Sequence, residues 1–165
     1  MPRKRTSYDP GHIPKYLVVV DDTPECDRAI VYAARRSARV GGRLVMLAII
    51  ETEDREGQTL FGVADVMREE AEAEARAKLD QAGDRVMKLT HTEPQLITRQ
   101  GPAATAVVSL IEEDQDIAIL VLAAGTGKDG PGPLVSSLAR TAGSFAIPVA
   151  LVPGQLSDDE IEALA

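Results

Sequence analysis

Five short apolar runs, each but the last followed by a stretch of helical periodicity, constrain this chain more than any other feature. They are KYLVVVD at 15–21, LVMLAII at 44–50, QLITR at 95–99, IAILVL at 117–122 and VALV at 149–152. Most are apolar without alternation and rich in Val, Ile and Leu, the mark of strands covered on both faces. Strands that alternate with helices imply an α/β fold with a parallel sheet between two helical layers, joined by right-handed crossovers. The 165 residues suit one domain. No internal repeat is visible. Residues 1–14 read as a flexible N-terminal tail, 15–153 as the domain, and 154–165 as a C-terminal tail with a short helix.

The helices follow from spacing and end signals. Thr23 is the expected cap of the first, with Pro24 at its first position and Glu25 in its first turn. Cys26, Ala29, Ile30, Ala33, Ala34, Ser37 and Ala38 then form a stripe of small residues, and Gly41-Gly42 ends the helix. The charged stretch Glu51 to Gln58 reads as a mobile loop. A long helix from about Val63 to about Leu89 carries a seam of Met67, Ala71, Ala75, Leu79, Ala82 and Val86, with a Glu74–Lys78 surface pair. Gly101-Pro102 opens a helix whose expected inner face is Ala104, Val107, Val108 and Ile111. Ser157 to Glu160 is a capping box.

Composition narrows the function classes. A hydrophobic fraction of 44% excludes a disordered chain, and an aromatic content of 3% leaves few platforms for stacking nucleic-acid bases. A net charge of -8 argues against nucleic acid, which needs a basic face. The cluster Arg3-Lys4-Arg5 lies in the tail and reads as a solvated end. The single cysteine, Cys26, rules out an intrachain disulfide and fits a cytoplasmic protein. It falls on the buried stripe and reads as a small core residue. No run is long enough for a membrane span.

The segment from Asp116 to Pro153 concentrates the chemistry. It reads as a strand, a glycine-rich loop from Gly125 to Pro133, a helix opened by Ser136 and Ser137, and a second strand. A glycine loop feeding a helix start presents N–H groups and a positive dipole end to an anion. The same loop also reads as a plain connection. Parallel sheets bind ligands beyond the C-terminal ends of strands, where strand order reverses. Asp21 and the loop belong to that end. Asp21 reads equally as a ligand contact and as an acceptor for turn N–H groups beside Thr23.

Taken together, these pieces resemble the universal stress protein family, over Lys15 to Pro153. The resemblance rests on Val20-Asp21-Asp22-Thr23-Pro24-Glu25 after the first strand, Gly41 to Ile50, Gln100-Gly101-Pro102-Ala103, and Pro148 to Pro153. It implies a Rossmann-like, HUP-type three-layer sandwich with a five-stranded parallel sheet of order 3-2-1-4-5. It also implies a regulatory or stress-response module that binds ATP or another adenine nucleotide. The positions implied for the nucleotide are Val19 and Asp21, Ile49, Gly125, Gly127 and Gly130, and Ser136 and Ser137. Members that bind ATP look like G-x2-G, a fixed spacer, then G-S or G-T. Gly127-x2-Gly130 matches the first half, but the loop is shortened and Val135-Ser136 stands where Gly-Ser belongs. That feature resembles the family branch that does not bind ATP, and leaves a nucleotide-free dimeric adaptor, acting through partner contacts or Ser/Thr phosphorylation, as the alternative. The apolar fifth strand, Val149 to Val152, reads as a sheet edge; the resemblance implies homodimer pairing through it, with folding of the acidic final helix over the same edge as the alternative.

Other readings lack their parts. Asp21-Asp22 invites a phosphoacceptor receiver, but the third strand ends at Thr98-Arg99-Gln100 without an aspartate and the fifth ends without a lysine. There is no G-x-x-x-x-G-K-S/T and no G-x-G-x-x-G after the first strand. His12 and His91 have no ligand-spaced partners, so no metal is expected. Ser136 and Ser137 lack a base and read as helix caps. Catalysis is not expected, beyond at most weak nucleotide hydrolysis.

Overall fold

The structure, a computed structural model, describes residues 4–51 and 63–165. The strands are β1 (Lys15–Val19), β2 (Arg43–Ile50), β3 (Gln95–Gln100), β4 (Ile117–Ala124) and β5 (Val149–Pro153). The helices are α1 (Cys26–Arg39), α2 (Val63–Thr90), α3 (Ala103–Glu113), α4 (Pro133–Arg140) and α5 (Asp158–Leu164). All strand pairs are parallel, in the order β3-β2-β1-β4-β5, with Val19 opposite Leu47 and Val18 opposite Val121. The expected three-layer sandwich and its strand order are both present.

Period-two geometry explains why the strands are apolar throughout. Tyr16, Val18, Met46 and Ala48 face α1 and α2, whereas Leu17, Val19, Val45 and Leu47 face α3 and α4. Leu17, Val45 and Leu120 have no exposed surface. Ala29, Ala33 and Ala34 are buried, so α1 lies close on the sheet.

Several local expectations are corrected. α1 starts at Cys26 with Glu25 in the cap position and no side-chain cap. Thr23 is held elsewhere: its N–H and hydroxyl both donate to Asp21 Oδ1, at 2.9 and 2.5 Å. A short carboxylate closing the turn beyond its own residue outcompetes the cap. Met67 is exposed, because the 28-residue α2 is about 42 Å long and its first turns lie clear of the core. Burial of the seam begins at Ala75. Val108 is also exposed; α3 faces the sheet through Ala106, Val107, Leu110 and Ile111. α4 begins at Pro133 after Gly132 (φ 111°), so Ser136 and Ser137 lie a turn inside it and do not cap it. Residues 52–58 of the expected charged loop lie outside the described residues.

Residues 5–7 of the N-terminal segment are tied to the domain. Arg5 donates to the carbonyls of Ile111, Asp114 and Ile117 at 2.7, 2.6 and 2.8 Å, and Thr6 Oγ1 donates to Asp116 at 2.6 Å. Arg5 thereby supplies a donor to the Ile111 carbonyl in the last turn of α3, which helix geometry leaves unpaired, and ties that turn to the start of β4. At the other terminus the capping box forms: Glu160 N–H donates to Ser157 Oγ and Ser157 N–H to the Glu160 carboxylate. Ile161 is buried beside Val31, so α5 packs on α1 and not over the edge of β5.

Asp27 joins three helices. Its carboxylate accepts from Arg85 of α2 and Arg28, and Arg28 reaches Asp158 of α5 at 2.8 Å. Partial burial alone would raise the Asp27 carboxyl, but the hydrogen bonds from Arg85 and Arg28 outweigh it and hold the group below its ordinary range. A carboxyl depressed in the folded state stabilises the fold above its unfolded pKa, and the contribution is lost as pH falls through the folded value. Asp27→Asn is therefore expected to lower the urea midpoint at pH 7. The difference from the parent should shrink on acidification, as the pH falls through the lowered folded value.

Candidate functional site

The chain runs from β1 outward through β2 and β3, then returns to place β4 and β5 on the other side of β1. The C-terminal ends of β1 and β4 therefore flank the point where strand order reverses, the usual ligand crevice of such sheets. A cleft of about 470 Å³ opens at this end. Its floor is Val19, Val20, Ala48 and Ile49; its walls come from Ala75 and Lys78 of α2, Ala103 and Ala104 of α3, and Pro133, Leu134 and Ser137 of α4. Asp21, Asp22 and Glu51 stand at the strand ends. The volume is in the range of small-molecule sites, and so is the mixture of apolar lining with a few polar groups. A second cavity, of about 90 Å³, lies under the glycine loop and shares Val19, Asp21 and Leu134 with the cleft.

Of the positions read from the sequence, Val19, Asp21, Ile49 and Ser137 come together in this cleft. Gly125, Gly127, Gly130 and Ser136 do not line it. The loop instead folds on itself: Gly125 N–H donates to the Pro131 carbonyl at 3.1 Å and Gly130 N–H to the Gly127 carbonyl at 3.2 Å. Those two N–H groups are not directed at an anion. Gly125 is tightly packed: a Cβ there would sit 3.0 Å from Glu25 Oε1 and 3.1 Å from the Gly130 carbonyl, so these neighbours would have to give way slightly. A Cβ at Gly127 meets open space. Val135 is buried in the core between α4 and the sheet and forms part of the wall of the smaller cavity.

Asp21 is exposed, and its Oδ1 accepts both hydrogen bonds from Thr23. Its backbone N–H points to Cys26 Sγ at 3.4 Å, and that thiol lies 3.6 Å from the Val19 carbonyl. Burial pushes the Cys26 thiol up to about 12. It stays protonated at neutral pH and is a poor nucleophile.

Lys78 is a cleft residue that the sequence reading placed only in a surface pair. Its ammonium donates to Asp22 at 2.7 Å and lies 3.6 Å from Glu74. The hydrogen bond to Asp22, aided by Glu74, raises its pKa despite some burial. The signal was available: Lys78 precedes Leu79 on the buried seam, close to where α2 meets the sheet. Ala103 and Ala104 were legible too, since Gly101-Pro102 starts α3 at the tip of β3. Among the described residues no group of three or more His, Cys, Asp or Glu could hold a metal ion, and no helix is long and apolar enough to cross a membrane.

Solved structures share this architecture. Universal stress protein UspA from Lactobacillus plantarum superposes with a TM-score of 0.72 at 16% identity, covering 84% of this chain and 97% of that one. A universal stress protein family protein from Arabidopsis thaliana, solved with AMP bound, gives 0.60 at 15% identity, covering 88% and 94%. The universal stress protein from Archaeoglobus fulgidus in complex with dAMP gives 0.55 at 17% identity, covering 84% and 97%. At these identities the likeness shows the fold alone. No curated protein matches the sequence. The model of the universal stress protein family, however, matches residues 13–153, nearly all of the sheet and its helices. The chain belongs to the universal stress protein family.

Proposed function

We propose that this chain is a regulatory stress-response module that binds an adenine nucleotide in the cleft at the ends of β1 and β2, acting by binding rather than turnover. One observation carries the reading. Val19 and Asp21, beside each other at the end of β1, and Ile49 of β2 line one cleft of about 470 Å³ at the reversal point of the sheet. The apolar floor suits a purine ring. The Asp21 carboxylate, already an acceptor for Thr23, has further lone pairs for ribose hydroxyls or the adenine amine. AMP and dAMP occupy the two similar structures named above, which supports a mononucleotide as the ligand.

Calorimetric titration of the full chain with AMP tests this. One saturable site is expected, together with a rise of several degrees in Tm at ligand well above Kd. No heat and no shift at millimolar AMP would remove the nucleotide reading.

A second reading is favoured by a separate observation. β5 lies at the sheet edge, Leu151 is half exposed on it, and the glycine loop is closed on itself. These features support a nucleotide-free adaptor that pairs with a second copy along Val149, Ala150, Leu151 and Val152. A chain that stays dimeric while ignoring AMP would match that reading.

A further inference from the structure

We propose that the cleft takes an adenine ligand with at most one phosphate and discriminates against polyphosphates, and that Asp22 sets this limit by holding Lys78. The proposal rests on the reading of the cleft as an adenine site. It goes further by fixing which adenine compounds enter and which residue decides.

The charge of the lining carries the argument. Among the described residues, the cleft is lined by three carboxylates, Asp21, Asp22 and Glu51, and by one cation, Lys78. That cation is already engaged, at 2.7 Å from Asp22 and 3.6 Å from Glu74. A phosphate chain needs side-chain cations or free N–H groups to offset its charge. Here the lysine is neutralised, and the Gly125 and Gly130 N–H groups close the loop on itself. The first turns of α3 and α4, at Ala104 and Leu134, leave N–H donors for one phosphate; each further phosphate adds negative charge beside carboxylates with no second side-chain cation among the described lining residues.

The purine and ribose face the opposite balance. Val19, Val20, Ile49 and Leu134 offer apolar contact, and Asp21 accepts from hydroxyl or amine donors. Ser137 adds one hydroxyl on the α4 wall, enough to donate to a single phosphate oxygen. A nucleoside or mononucleotide uses these groups; a triphosphate carries its extra charge at a net loss.

The test compares adenosine, AMP and ATP by calorimetry on the full chain, in metal-free buffer at low and high salt. Adenosine and AMP are expected to bind, with ATP at least about tenfold weaker than AMP. Added salt should strengthen ATP binding, because the dominant interaction of the extra phosphates is repulsive, and should leave adenosine unchanged. Asp22→Asn removes one carboxylate and frees Lys78. It should narrow the gap between ATP and AMP by about tenfold and hold adenosine within about twofold. Asp22→Glu, which keeps the charge, should keep the gap. Asp22 is exposed, so these variants are expected to fold. ATP binding as tightly as AMP would overturn the limit, and an unchanged gap in Asp22→Asn would overturn the role of Asp22. Failure of adenosine and AMP alike would overturn the adenine reading itself, and this inference with it.

Discussion

Leu17→Ala is expected to lower the free energy of unfolding by about 2–5 kcal/mol, the range for deleting a fully buried leucine side chain. Leu17 has no exposed surface and sits on β1, the central strand of the sheet. Its side chain packs on the face covered by α3 and α4, among Val45, Leu120 and Val107. The sheet is hydrogen-bonded on both sides of β1, so the strand has little freedom to collapse into the space left behind. Urea denaturation reads the change as a lower midpoint at constant slope. A loss below about 1 kcal/mol would mean that β1 is not the packed centre described.

The second large effect concerns ligand binding. Asp21→Ala is expected to weaken AMP by about tenfold to a hundredfold, which corresponds to one or two hydrogen bonds to a charged acceptor. The same carboxylate also holds Thr23, so the variant loosens a turn as well as removing a contact. Asp21→Asn separates the two roles. It keeps an oxygen for the Thr23 turn but loses the charge, and should fall between the parent and the alanine variant. Equal binding by parent and Asp21→Ala would remove Asp21 from the site.

How much was legible depends on the type of signal. The five strands were readable because a parallel sheet leaves nearly continuous runs of Val, Ile and Leu, such as LVVV at 17–20 and ILVL at 119–122, whereas their spatial order came from the family resemblance. Ends and faces were harder. Thr23 looked like a helix cap, yet Asp21 two residues earlier offered a better acceptor. Val108 and Met67 fit helical spacing but are exposed, since spacing gives the period of a stripe and not where the partner surface stops. Arg5 is bound to three carbonyls more than a hundred residues away, and no local pattern announces such a contact.

The site divides in the same way. The strand pattern put Asp21 at this end and the family resemblance added Val19 and Ile49; the three line one cleft because the strand ends of a parallel sheet gather on one side. The glycines are absent from that lining, since composition cannot tell a loop that presents its N–H groups from one that spends them internally. Gly125 and Gly130 do the latter. Ser136 and Ser137 differ for a similar reason. Both lie inside α4, and only Ser137 reaches the cleft lining.

The most direct measurement is the map of backbone amide shifts on titration with AMP. The account predicts that the changes concentrate at Val19 to Asp22, at Ile49 and at the starts of α3 and α4 around Ala104 and Leu134. Shifts gathered instead around Lys15, Arg43 and Ile117, at the opposite end of the strands, would contradict it, as would a spectrum unmoved by saturating nucleotide.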